Sequence, residues 1–248
     1  FFRNLVAFFI ALIMIIRSKD GFKIEKGNMK YMILRATFGT VGILCNFYAV
    51  DHLVLSDASM LNKMSPFFVI IFSFLLLKEK MTPAQGLAVA GAFIGSLFVI
   101  KPTFTNMALV PSLIGLCGGI CAGIAYAMVR ILGQRGQKGS SVVIFFSGFS
   151  CVVTLPCLIL DFHPMSGLQI LTLLGAGLAA AGGQFGITAA YYHAPAKEIS
   201  IYDYSQIIFS TILGFFLFGQ VPDRYSVLGY VIICAMALWM FIYNKNRD

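Results

Sequence analysis

The chain has 248 residues, 59% of them hydrophobic and 11% charged, with a mean hydropathy of +0.87. A soluble domain of this size must cover itself with polar side chains, so the composition excludes one; lipid removes the requirement. The formal net charge of +8 does not point to nucleic acid, because the basic residues sit in short gaps between apolar runs, as membrane topology signals do.

A membrane helix needs about 20 mostly apolar residues. Nine runs qualify in chain order: 1–16, 29–50, 54–77, 84–100, 109–132, 141–160, 168–192, 197–218 and 225–243. Each must satisfy its own backbone hydrogen bonds in lipid, which predicts helices. The runs are apolar throughout, unlike the alternating strands of a membrane β-barrel. The connecting gaps are short, so neighbouring helices are antiparallel. The six cysteines, Cys45, Cys117, Cys121, Cys151, Cys157 and Cys234, lie inside apolar runs without metal-type pairs, so packing explains them. No metal or cofactor is expected.

Lys and Arg divide between alternate gaps. Arg17, Lys19, Lys23, Lys26, Lys30, Lys78, Lys80, Arg130, Arg135, Lys138, Lys197, Lys245 and Arg247 fall on one side; Lys101 and Arg224 fall on the other. Basic loops stay cytoplasmic, which predicts a cytoplasmic C-terminus in a bacterial inner membrane. Nine spans then put Phe1 outside, although the start lacks the ordered zones of a signal peptide. One further helix before Phe1 would resolve this, so a parent of ten helices is expected.

A shift of 140 residues lays span 54–77 on span 197–218, with Asn62-Lys63 on Tyr202-Asp203 and Pro66 on Gln206. Each half would hold five helices, an odd number, so the second copy enters the membrane upside down. Inverted repeats of this kind mark transporters, with substrate bound near the midplane between them.

The whole chain resembles the drug/metabolite transporter superfamily, specifically its EamA-type proteins. The resemblance rests on Phe2-Arg3, on Asp57-Ala58-Ser59 leading to Ser65-Pro66-Phe67, on Leu77-Lys78-Glu79, and on Pro83 to Gly91. In the second copy Tyr192-His193-Ala194-Pro195-Ala196 matches the same helix opening. The family usually repeats the Pro and the Glu in the second half, where this chain has Gln206 and Gly219-Gln220. The resemblance implies an all-α membrane protein of two inverted five-helix repeats, 1–101 (lacking its first helix) and 108–243. It also implies transport, often export, of a small metabolite by alternating access.

An ionisable group inside the bilayer costs about 2.5–3.5 kcal/mol and usually faces a partner or a wet cavity. Lys63 lies about 13 Å into its span and Asp203 about 9 Å into its own from the opposite face. In a core of about 30 Å this leaves them roughly 8 Å apart along the normal. Lys63 would bind an anionic substrate group, and Asp203 a cationic group or a proton; a buried ion pair or snorkelling is the alternative. Ser59, Asn62, Lys63 and Pro66 form one polar stripe, and Tyr202, Asp203, Gln206 and Ser210 the other. Gln184, Asn46 and Tyr126 lie deeper and either line the cavity or bond between helices. Arg35 and Arg130, near cytoplasmic ends, are expected to snorkel. Gly115, Gly119 and Gly123, four apart, predict a close helix contact.

The expected partners are a small-molecule substrate and the lipid bilayer, with no nucleic acid; a homodimer is compatible. Enzyme readings are weak. His52 and Asp57 match a short acyltransferase spacing in what reads as an outside loop, and no HExxH, Walker sequence or GxGxxG is present. A lipid-modifying membrane enzyme and an accessory membrane subunit remain the alternatives.

Overall fold

The computed structural model describes residues 1–17, 21–77, 82–100, 108–160, 162, 164–193 and 205–245, with side chains 76, 77, 85, 205, 244 and 245 left out. Among the described residues all regular structure is helical: α1 (Phe2–Arg17), α2 (Met29–His52), α3 (Leu55–Asn62), α4 (Ser65–Leu77), α5 (Pro83–Ile100), α6 (Leu109–Gln134), α7 (Gly139–Leu160), α8 (Gly167–His193), α9 (Ser205–Phe218) and α10 (Arg224–Lys245). The protein is an all-α membrane protein. Among the described residues, six segments are long and apolar enough to cross a bilayer: α2, 55–75 (α3 with most of α4), α6, α7, α8 and α10. Helix α1 and the apolar stretches 86–100 of α5 and 206–218 of α9 are shorter.

Local chemistry sets the helix ends. Helix α6 stops at Gly136, whose φ of 73° only glycine adopts readily. There the Gln137 N–H returns to the Leu132 carbonyl and the Gly136 N–H to Gly133, a Schellman closure. Helix α8 opens with a reciprocal capping box: Ser166 Oγ accepts from the Gln169 N–H, and Gln169 Oε1 accepts from the Ser166 N–H. Asp223 Oδ1 caps α10 by accepting from the Ser226 N–H.

The chain forms two compact units. Residues 1–40 and 128–193 make the first; residues 41–127 and 194–248 make the second, so the division falls inside α2 and α6. In the first unit α1 packs on α7 and α8. Ala11, Ile15, Val143 and Ile144 form its core. In the second unit α5 lies along α10. Their backbones touch: a Cβ on Gly229 would come within 2.6 Å of the Gly95 carbonyl. Met60, Leu61, Met64, Phe67, Val89, Ile233 and Met240 fill this core. Large apolar side chains such as Ile16, Leu160 and Phe216 stay exposed, as they must where the solvent is lipid.

One span differs from expectation. Run 54–77 reads as a single helix, but the chain breaks at Lys63-Met64 into α3 and α4. Pro66 is the cause. It has no N–H for the Asn62 carbonyl, and its ring would clash with that carbonyl in a continuous helix. The Phe67 N–H reaches the Met64 carbonyl at 3.1 Å, a three-residue step tighter than the α-helical one. Lys63 accordingly sits at φ −75°, ψ 6°, outside the helical basin.

Candidate functional site

The break lies about 12 Å along the segment that starts at Leu55, at 1.5 Å per residue. Pro66 has no N–H for the Asn62 carbonyl, while the Lys63 N–H still reaches Ser59 O at 3.0 Å and the Met64 N–H reaches Leu61 O at 3.2 Å. Asn62 and Lys63 are half-buried. Unwound backbone at membrane depth is tolerated only where protein or a wet cavity meets it, and broken helices supply the ion and substrate sites of many transporters.

Helix α6 supplies one wall. A Cβ on Gly119 would lie 2.6 Å from the Leu61 carbonyl oxygen and 3.5 Å from that of Asn62. One on Gly123 would lie 3.1 Å from the Ser65 carbonyl. The adjacent Gly118 approaches α2, where its Cβ would stand 3.4 Å from the Asn46 amide nitrogen and 3.2 Å from Cys45 Cβ. The glycine pair Gly118-Gly119 therefore holds Asn46 of α2 and Asn62 of α3 against neighbouring sides of one helix. Tyr126 follows Gly119 by seven residues on the same face, half-buried. The spacing of Gly115, Gly119 and Gly123 thus marks a packing face, and that face carries the break.

The other expected residues are placed differently. Gln206 is exposed near the start of α9. Gln184 belongs to the first unit and bonds within its own helix, with Nε2 donating to Thr188 Oγ1 at 3.3 Å while Thr188 donates to the Gln184 carbonyl at 2.7 Å. Tyr202 and Asp203 lie outside the described residues, as does Glu79 of the family motif.

Two readings from sequence are corrected. Arg35 does not snorkel; it is 2% exposed, with its guanidinium carbon 4.1 Å from the centre of the Phe146 ring. The head turns along α2 toward Gly39, where a Cβ would come within 2.0 Å of Nη1. Glycine leaves the slot that makes this possible, and the stacking repays part of the cost of burying the charge. Asp57 is not in an outside loop. It is buried in the first turn of α3, and Tyr230 of α10 donates a hydrogen bond to its Oδ1. His52, its partner in the acyltransferase spacing, is exposed at the end of α2 and bonds the Tyr48 carbonyl through Nδ1 at 2.9 Å. No acid–His constellation forms between them.

Sequence reasoning also missed two glutamines. Gln220 Oε1 accepts from the Leu55 N–H at 2.9 Å, capping the start of α3 from the turn that ends α9. Gln137, 1% exposed, accepts from the Glu25 N–H at 3.0 Å and from Asn28 Nδ2 at 3.3 Å, and donates to the Lys23 carbonyl at 2.8 Å. The signal for Gln220 was its place just after Gly219, whose φ of 63° ends α9.

These features define a multi-pass membrane transporter, and the comparisons agree. The EamA-like transporter family matches twice, over residues 1–101 and 113–242, and the chain belongs to that family. It is 30% identical over 234 residues to the pseudopaline exporter CntI of Pseudomonas aeruginosa, covering 94% of this chain and 81% of that protein. It is 26% identical to an uncharacterized transporter of Helicobacter pylori, with 86% and 74% covered. It is 28% identical to the human solute carrier family 35 member G1, with 94% and 68% covered. One crystal structure aligns over 100% of this chain and 86% of its own, with a TM-score of 0.64 at 15% identity, a likeness of fold alone. The chain is a transporter of a small molecule and not an enzyme.

Proposed function

We propose that the chain exports a small anionic or zwitterionic metabolite by alternating access, with substrate held at the α3–α4 break. The observation that carries this reading is the break itself. At membrane depth it joins a half-buried lysine, backbone outside the helical basin, and the side chain of Asn62. Lys63 would meet the anionic group, and Asn46 and Tyr126 would complete the wall along α6. In the second repeat Tyr202, Asp203 and Gln206 are the proposed counterparts. The repeats 1–101 and 108–243 would run in opposite senses through a bacterial cytoplasmic membrane, with Lys245 on the cytoplasmic side by the charge bias. The first cargo to test is pseudopaline, which the Pseudomonas aeruginosa relative exports by its name.

The test is counterflow in proteoliposomes with pseudopaline and a panel of amino acids and organic acids. Exchange of one class by the wild type, lost in Lys63→Ala and Asn62→Ala while both variants stay folded, is the expected result. Exchange that survives both substitutions would remove the break as the substrate site.

A further inference from the structure

Asp57 is a carboxylate buried within a membrane-spanning segment, and the structure gives it hydroxyl neighbours. Tyr230 donates to Asp57 Oδ1 and lies 2.9 Å from Ser56 Oγ. A phenol has one proton, so it can donate to only one of them at a time. With Asp57 ionised, Ser56 donates to Tyr230 and Tyr230 donates to the carboxylate. With Asp57 protonated the chain reverses: the carboxyl O–H donates to Tyr230, and Tyr230 donates to Ser56. Both states keep both contacts, so neither the carboxyl group nor the phenol loses its partner when the proton binds. An orphaned buried donor or acceptor would cost about 1–3 kcal/mol; Asp57 and Tyr230 avoid that in either state.

A polar line reaches the trio from the end of α10 near Arg224. Asp223, Ser226 and Tyr230 stand at i, i+3 and i+7, on one helix face. Asp223 is exposed and holds the Ser226 N–H at 2.8 Å. Ser226 Oγ is fully buried, and among the described residues no group bonds it. It is a hydroxyl placed one turn before Tyr230 with its capacity unused.

Among the described residues, these charged and titratable groups lie on the elements around Asp57. Helix α10 presents Tyr230, with Asp223 and Arg224 at its exposed start. The described residues of α5, α9 and the first five turns of α6 carry no charge. Helix α3 leads only to Lys63, at its far end.

We infer that Asp57 is a reversible proton-binding site, loaded from the membrane face where α3 and α10 begin along the line Asp223, Ser226, Tyr230, and that its proton drives export. The protonation stands on the geometry alone; the coupling rests on the transporter reading. One proton enters as one metabolite leaves, and no other reactant is needed.

The experiment has two arms. Infrared difference spectra of the protein in lipid vesicles are recorded across a pH titration. The wild type should show a protonated-carboxyl C=O band that is absent in Asp57→Asn and displaced in Tyr230→Phe. Titration spectra identical in wild type and Asp57→Asn would overturn the site. The second arm follows pseudopaline counterflow at equal pH and efflux under an imposed pH gradient, acid on the Asp223 side. Asp57→Asn should keep counterflow and lose the acceleration by the gradient, and Ser226→Ala should slow only the accelerated mode. Acceleration that persists in Asp57→Asn, or is absent from the wild type, overturns the coupling. No counterflow in the wild type with any probe defeats the transporter reading instead, and the infrared arm still decides the proton site. Should Asp57→Asn not fold, Tyr230→Phe carries both arms: a displaced carboxyl band and a lost acceleration are expected, while an unmoved band overturns the site and an undiminished acceleration overturns the coupling.

Discussion

Gly39 lies one turn along α2 from Arg35, and a β-carbon there would fall 2.0 Å from Arg35 Nη1. The two residues are one device: the glycine makes a slot and the guanidinium fills it against Phe146. A methyl in the slot must push out the charged head, because the second neighbour, the Phe146 ring at 2.8 Å, is itself packed. Gly39→Ala is expected to destabilise by about 1–3 kcal/mol, the cost of overpacking a filled site. In an Arg35→Ala background most of that cost should vanish. Thermal unfolding of the two single variants and the double variant closes the cycle. Additive losses would show that the slot does not serve the arginine.

Gly119 offers a sharper contrast. Its Cβ would meet a backbone oxygen, that of Leu61, at 2.6 Å, and backbone cannot rotate away. Gly119→Ala should therefore part α6 from the α3–α4 break and lower both the melting temperature and transport. Gly182 on α8 meets nothing within 4 Å, so Gly182→Ala should stay within about 0.5 kcal/mol of the wild type. Equal effects at the two glycines would mean that the glycine face of α6 does not hold the break.

Much of this was legible because lipid imposes a coarse rule: apolar length gives helices, and the runs 29–50, 109–132 and 168–192 each end within a few residues of the observed helices. Family membership was legible from residues around Pro66 and Glu79. The break was half legible. Pro66 removes a helical hydrogen bond, but sequence does not state whether the chain merely bends there or leaves the helical basin at Lys63, as it does. Arg35 was misread because depth along a helix does not fix the side-chain direction. Near a helix end snorkelling is the cheaper default, and only the space at Gly39 reverses it. Run 54–77 already enclosed Asp57, but the acyltransferase spacing read it with His52 at the loop edge; what fixes it inside a helix start is Gln220, which caps Leu55 from 165 residues away in sequence. Long-range caps of this kind leave no local pattern.

Gln137 is expected to order the segment before α2. Three of its bonds go to the backbone of Lys23 and Glu25 and the side chain of Asn28, while its own carbonyl accepts from Tyr192 Oη at 2.6 Å. Gln137→Ala removes the first three and keeps the last, leaving the buried Asn28 amide without that acceptor. The loss should be about 1–3 kcal/mol, felt locally. Hydrogen exchange should quicken at residues 23–28 and leave the core of α7 unchanged. Uniform acceleration across the first unit would show that Gln137 supports the whole unit, not this segment.

Gln220 tests how α3 is started. The first N–H groups of a helix have no partner inside it, and Val54 gives α3 no side-chain cap. Gln220 Oε1 supplies the Leu55 N–H with its acceptor from the far side of the Gly219 turn. Gln220→Ala should cost about 0.5–2 kcal/mol, the range for a lost helix cap. The effect should centre on the α3 start and the neighbouring Asp57–Tyr230 bond. Gln220→Glu keeps an acceptor at the same reach, so it should retain the cap and most of the stability that Gln220→Ala loses. A Gln220→Glu protein that melts as low as Gln220→Ala would show that the acceptor does not start α3.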